Sequence, residues 1–133
     1  MIYKKILVTG SSGVLGSALK ENAKNHSGRD FIFLKSQDCD LTDSSKTLGI
    51  VKSTKADAIL HLAAVSGGIG LGMKHQASLF RDNLLMTLNV LEAVRKCKIR
   101  KTVMSLSSGM YPPNAPLPLN EDTIHDGYPH ASF

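Results

Sequence analysis

Tryptophan is absent, aromatic residues make up only 5% of the chain, and cysteine occurs twice, as Cys39 and Cys97. With the two thiols far apart and no Cys-x-x-Cys pair, a disulfide scaffold and a zinc ribbon are both excluded, and reduced thiols are expected. His125 and His130 stand in a segment without clustered carboxylates, so no metal site is expected either. Long apolar runs are also missing. Each is broken by His, Gly or Lys within about eight residues, whereas a membrane span needs about 20. The run Ile6-Leu7-Val8 is too short for the core of a signal peptide, and a cytoplasmic protein without a membrane segment is expected.

What is present suits one domain. The 133 residues are 42% hydrophobic and 20% charged, the balance of a chain with a single core. Lys and Arg total 16 against 11 Asp and Glu, and the net charge of +5 admits a polyanionic ligand such as a nucleotide or nucleic acid.

Short β-branched and aromatic runs alternate with stretches of helical period, the pattern of a parallel sheet flanked by helices. Strands are expected at Ile6–Thr9, Phe31–Leu34, Ala58–Leu62 and Thr102–Leu106. Val14/Leu15, Ala18/Leu19 and Ala23 give a helix from Gly13 that fades around Asn25 to Gly28. Thr42 and Asp43 cap a second helix through Leu48, Ile50 and Val51. A long third helix is expected from about Lys74 to Lys98, with Ala77, Phe80, Leu84, Leu88 and Leu91 on one face. Pro112, Pro113, Pro116 and Pro118 make the remainder irregular. His61 is expected to be a hydrogen-bonded core residue, and Met73, Met86 and Met104 packing residues.

The segment Thr9-Gly10-Ser11-Ser12-Gly13-Val14-Leu15-Gly16 joins the first strand to the first helix. Gly10 permits a tight turn, Gly13 lets the backbone approach a pyrophosphate, and Gly16 lets helix and strand pack closely. The helix N-terminus then offers free N–H groups and partial positive charge to phosphates. Gly16 is followed by Ser17-Ala18, which excludes a Walker loop, and Gly-x-Ser-x-Gly occurs nowhere, which excludes the usual hydrolase elbow. At the end of the second strand an NAD reader of the 2'-hydroxyl would be acidic, yet Leu34-Lys35-Ser36-Gln37 stands there. Lys35 suits a 2'-phosphate and favours NADP, while the nearby Asp38 keeps NAD possible. Asp40 and Leu41 are placed to frame the adenine.

The glycine turn, Asp40-Leu41-Thr42-Asp43, His61-Leu62-Ala63-Ala64 with Gly67-Gly68, and Leu106-Ser107-Ser108 before Tyr111-Pro112 resemble, in this order, the extended short-chain dehydrogenase/reductases. This is the NAD-dependent epimerase/dehydratase family, and the likeness is to its GDP-L-fucose synthase branch, the NADPH-dependent epimerase-reductases of a 4-keto sugar nucleotide. The resemblance implies a Rossmann-type doubly wound parallel sheet of order 3-2-1-4-5, with Thr102–Leu106 as its fifth strand and open edge. It implies that Gly10, Ser11, Ser12, Gly13, Val14, Leu15 and Gly16 hold the pyrophosphate, and that Ala63 and Ala64 line the cofactor cleft. It also implies that the Gly67-Gly68 loop borders a nucleotide-sugar substrate, that Ser107 is the catalytic serine, that Asn83 supports the active site, and that the enzyme is a homodimer.

Two departures qualify it. Gly109 stands where fucose synthases carry the cysteine of the epimerisation step, and glycine cannot move a proton. No tyrosine is followed four residues later by lysine: Tyr3 meets Leu7, Tyr111 meets Ala115 and Tyr128 meets Ser132. Since the family's Tyr-x-x-x-Lys falls just past the point matching Ser132-Phe133, the expectation is an incomplete dinucleotide-binding domain over 1–133, without the substrate domain and inactive alone. A non-catalytic dinucleotide-binding or regulatory module is the alternative. Nucleic acid is not expected, because the basic stretch Arg95 to Lys101 has no interleaved aromatics and complements a helix C-terminus.

Overall fold

A computed structural model describes residues 3–67 and 69–129, so Gly68, His130, Ser132 and Phe133 lie outside the described residues. The chain divides into two compact units, one of Met1–Val65 with Ala77–Ser105, the other of Ser66–Gln76 with Leu106–Phe133.

The first unit carries a parallel sheet of β1 (Lys5–Thr9), β2 (Asp30–Leu34), β3 (Ala58–His61) and β4 (Lys101–Met104), in the order β2-β1-β3-β4. The expected α/β Rossmann-type architecture is therefore present, and its four strands among the described residues are the four expected from the sequence, where the family resemblance implied a fifth. The outer neighbour of β2 is not formed. The residues around Asp38 to Leu41 make local turns instead, with Asp38 N–H donating to Lys35 O at 3.1 Å and Asp43 N–H to Asp40 O at 3.2 Å. Among these residues β4 is an open edge, as expected.

Alternation along the strands divides the core in two. Leu7 and Ile59 face one side, packed with Leu34, Leu41, Val51, Met86, Val90 and Ala93. That layer contains helices α2 (Ser44–Thr54) and α4 (Gln76–Cys97). Ile6, Val8 and Ala58 face the other side, with Leu19 of α1 (Val14–Ala23) and Phe31 and Phe33. Here α1 is thinly seated. Of its expected apolar stripe only Leu19 and Ala23 are half-buried, while Val14, Leu15 and Ala18 are exposed.

Helix ends follow from the local sequence. Asp43 accepts from Ser45 and Lys46 N–H at 2.9 and 3.0 Å, capping α2 as expected. Helix α4 closes without glycine. Lys98 takes a φ of 55°, its N–H reaching Arg95 O and that of Ile99 reaching Val94 O at 3.0 Å, the paired bonds of a Schellman ending.

A short helix not expected from the sequence, α3 (Ile69–Lys74), lies in the second unit, and the helix expected from about Lys74 to Lys98 is α4 to within two residues at either end. Its expected apolar face is not the core face: Phe80 and Leu88 are 70% and 52% exposed, and Leu84 and Leu91 are exposed as well. Met86, Val90 and Ala93 are buried instead. In the second unit, short 3-10 turns at Ser108–Met110 and Glu121–Thr123 interrupt an otherwise irregular path, as the prolines suggested.

Candidate functional site

In an open parallel sheet, ligands settle beyond the carboxyl ends of the strands, where the strand order reverses. Here β1 has β2 on one side and β3 on the other, and the residues following all three strands border one cleft of about 420 Å³.

Gly10 builds its floor. It holds a φ of +68°, and a Cβ there would stand 2.6 Å from Ala63 N and Leu62 C, so the turn after β1 lies directly against the chain leaving β3. Only glycine fits both the dihedral and the space. Gly16 is equally constrained, since its Cβ would strike Gly10 O and the main chain of Ser11; it seats α1 on the turn. Gly13 is the N-cap of α1 and makes no side-chain cap, and the first turn of the helix carries no acidic residue. That end of α1 thus keeps the free N–H groups and partial positive charge that suit a phosphate.

A buried relay fixes the opposite wall. Ala63 N–H donates to Thr9 Oγ1 at 3.3 Å, and Thr9 Oγ1 lies 2.8 Å from His61 Nδ1. The Thr9 hydroxyl, accepting from Ala63, keeps one proton and one lone pair for its contact with His61 Nδ1. His61 is 4% exposed and is the hydrogen-bonded core residue expected. Burial holds its pKa below the ordinary 6.5. The imidazole is neutral in the fold and takes up a proton more readily once unfolded, so its contribution is complete above about pH 6.5 and is lost as pH falls below it. Thermal unfolding between about pH 7 and 5 should therefore show a smaller acid loss for His61→Asn than for the wild type. Equal acid losses in both would contradict this.

Two asparagines of α4 hold the loops. Asn83 Nδ2 donates to Val65 O at 2.9 Å and its Oδ1 accepts from Val65 N–H at 2.8 Å, a reciprocal clamp on the segment after β3. Asn89 Nδ2 donates to Leu41 O and Thr42 O, both at 2.9 Å. Sequence reasoning missed Asn89, as it missed Asp82, which borders the cleft while ion-paired to Arg81 at 2.8 Å. An asparagine inside an amphipathic helix gives no signal of its carbonyl partners some 48 residues away.

Of the expected cofactor residues, Gly10, Ser12, Gly13, Lys35, Asp40, Leu41, Ala63 and Ala64 line the one cleft. Ser11, Val14, Leu15 and Gly16 belong to the same turn and first helical turn but are not among the lining residues; Ser11 Oγ is buried without a hydrogen-bond partner among the described residues. Lys35 is exposed on the cleft, and its ammonium makes no ion pair among the described residues. Asp38 is not a lining residue, and its carboxylate accepts from Lys35 N–H at 2.8 Å. Asp40 accepts from the Thr42 hydroxyl at 2.7 Å and the Thr42 N–H at 2.9 Å, which holds its carboxyl below the usual range. Cys39 also borders the cleft, and burial pushes its thiol up, away from reactivity.

Ser107 lies in the second unit. It is exposed, and its Oγ accepts from Gly109 N–H at 3.1 Å, capping the 3-10 turn, with no acceptor for the hydroxyl proton among the described residues. Elsewhere the basic segment is partly paired: Arg95 and Lys96 both reach Glu92, at 2.7 and 3.3 Å, and Arg95 foremost holds that carboxyl down to about 2. No group of metal-ligating side chains exists among the described residues, and none of their helices is long and apolar enough to cross a membrane.

The GDP-L-fucose synthase of Dictyostelium discoideum is 34% identical over 131 residues, 97% of this chain and 41% of that protein. The solved GDP-L-fucose synthetase of Naegleria fowleri bound to NADP is 30% identical with a TM-score of 0.83, covering 97% of this chain and 38% of that one. A GDP-mannoheptose C4 reductase of Campylobacter jejuni with NADP bound is 25% identical with a TM-score of 0.87, covering 98% of this chain and 41% of that one. The chain thus spans about two fifths of the length of these relatives. The model of the NAD dependent epimerase/dehydratase family matches residues 6–132, and the chain belongs to that family.

Proposed function

We propose that this chain is the cofactor-binding portion of an NADP-dependent nucleotide-sugar epimerase/reductase of the GDP-L-fucose synthase kind. The observation that carries the reading is the cleft at the strand-order reversal, where the Gly10 turn, the N-terminus of α1 and the exposed Lys35 converge. The fit to a phosphorylated dinucleotide is local. Gly10 and Gly13 leave room for the pyrophosphate, Asp40 and Leu41 frame the adenine side, and Lys35 offers charge to a 2'-phosphate while Asp38 is engaged with the Lys35 amide. NADP is therefore favoured over NAD.

When bound, the dinucleotide supplies a hydride. The chain's own contribution to the chemistry is Ser107, whose hydroxyl proton suits donation to the keto oxygen at C4 of a sugar nucleotide, steadying charge that develops there. Gly109 offers no acid or base for epimerisation, so reduction is the reaction these residues serve. The 133 residues hold no Tyr-x-x-x-Lys, and they are expected to bind NADPH with negligible turnover.

A cytoplasmic setting accords with two free thiols. The exposed face of α4, with Phe80, Leu84, Leu88 and Leu91, suits a homodimer contact and no nucleic-acid groove. A coupled absorbance assay with a 4-keto nucleotide sugar, run beside an NADPH titration and sedimentation of the same preparation, tests the whole reading. Saturable binding, self-association and no oxidation of NADPH are expected. Robust reduction by the chain alone would overturn the assignment of a binding portion, and a failure to bind would overturn the cofactor.

A further inference from the structure

We infer that Asn89 is a positioning residue for the adenine side of the cofactor cleft, an inference that rests on the dinucleotide reading above. The wall in question is Cys39 to Thr42, and its own hydrogen bonds are local. Asp40 Oδ1 binds Thr42 at its amide and its hydroxyl, and the Asp43 amide returns to Asp40 O. Such bonds shape a loop without fixing where it stands relative to the glycine turn.

The distant anchor comes from α4. One amide nitrogen, Asn89 Nδ2, donates to two consecutive carbonyls, Leu41 O and Thr42 O, each at 2.9 Å. Thr47 Oγ1 shares its one proton between Asp43 O, at 2.8 Å, and Leu41 O, at 3.1 Å, so it is the weaker of the two donors to that carbonyl. The Leu41 side chain packs in the same core as Met86 and Val90, which flank Asn89 on α4. Met86 itself borders the cleft. The helix thus holds the adenine-side wall by a polar pin and an apolar one, while the glycine turn is held separately by β3. Removing the polar pin loosens one wall and leaves the other.

An aspartate at this position keeps the shape but sets carboxylate oxygen against two carbonyl oxygens. The test compares wild type with Asn89→Asp on three probes: NADPH, adenosine 2',5'-bisphosphate and inorganic pyrophosphate, with thermal unfolding recorded for each protein. The expected result is a fall of about tenfold in affinity for both adenosine-bearing probes, with pyrophosphate binding unchanged. Thr47→Val, which removes the shared hydroxyl contact to Leu41 O and Asp43 O, should move the same two affinities in the same direction by less. If the aspartate variant does not fold, Asn89→Ala serves, since it introduces no charge.

Equal losses on all three probes would assign Asn89 a general structural role and overturn the inference. A folded variant with wild-type affinity for the bisphosphate would overturn it as well. A wild-type chain that binds neither adenosine-bearing probe would instead overturn the cofactor reading, and this inference with it.

Discussion

Alanine at Gly10 should abolish dinucleotide binding, with affinity for NADPH falling at least about 100-fold. The turn has no latitude at this residue. A φ of +68° costs a non-glycine residue about 1–3 kcal/mol, and the added methyl would also stand 2.6 Å from main-chain atoms of Leu62 and Ala63. Backbone cannot step aside as a flexible side chain can. Relief requires moving Ala63, whose amide is tied through Thr9 to the buried His61, or moving the turn and with it the N-terminus of α1. Either movement spoils the floor of the cleft. The stability loss is expected to exceed about 2 kcal/mol, read by thermal or denaturant unfolding. Gly13→Ala is the control. Its Cβ meets only Gly10 O, at an ordinary 3.4 Å, so the variant should fold like the wild type. A Gly10→Ala chain with unchanged melting and unchanged NADPH affinity would contradict the geometry.

Reversing the charge of Lys35 should exchange the cofactor preference. Lys35 is exposed, so a single ion pair with a 2'-phosphate is screened and contributes about 1 kcal/mol. Lys35→Asp removes that attraction and adds a repulsion, and NADPH affinity is expected to fall by roughly 30- to 100-fold. NADH affinity should hold or rise, because an acidic side chain at the end of β2 can accept from the 2'-hydroxyl. Parallel fluorescence titrations of both reduced cofactors measure the exchange. A variant that keeps a preference for NADPH would remove Lys35 from the 2'-phosphate.

The features most legible in the sequence are those that local chemistry dictates. Strand β1 with its glycine turn, the Asp43 cap and the buried His61 all follow from neighbours within a few residues. The cleft was legible in part because Gly10, Lys35 and Ala63 follow strand ends, and a parallel sheet brings all its strand ends to one side.

What escaped depends on distance. Phe80, Leu84, Leu88 and Leu91 make a regular stripe on α4, yet the sheet takes Met86, Val90 and Ala93 instead. Periodicity shows that a helix has an apolar face; it does not say which of two faces the sheet takes. The strand outside β2 that the family resemblance implied is not seen among the described residues, and the Asp40 carboxylate binds the Thr42 amide and hydroxyl in a local turn. Asn89 carried no signal at all, since its partners lie in another element.

Titrating the 133-residue chain with NADPH and with NADH shows whether these residues form the NADP-binding portion of a nucleotide-sugar reductase. Saturable one-to-one binding is predicted, with NADPH preferred by about tenfold or more. No saturable binding of either cofactor, or a preference for NADH, would contradict it.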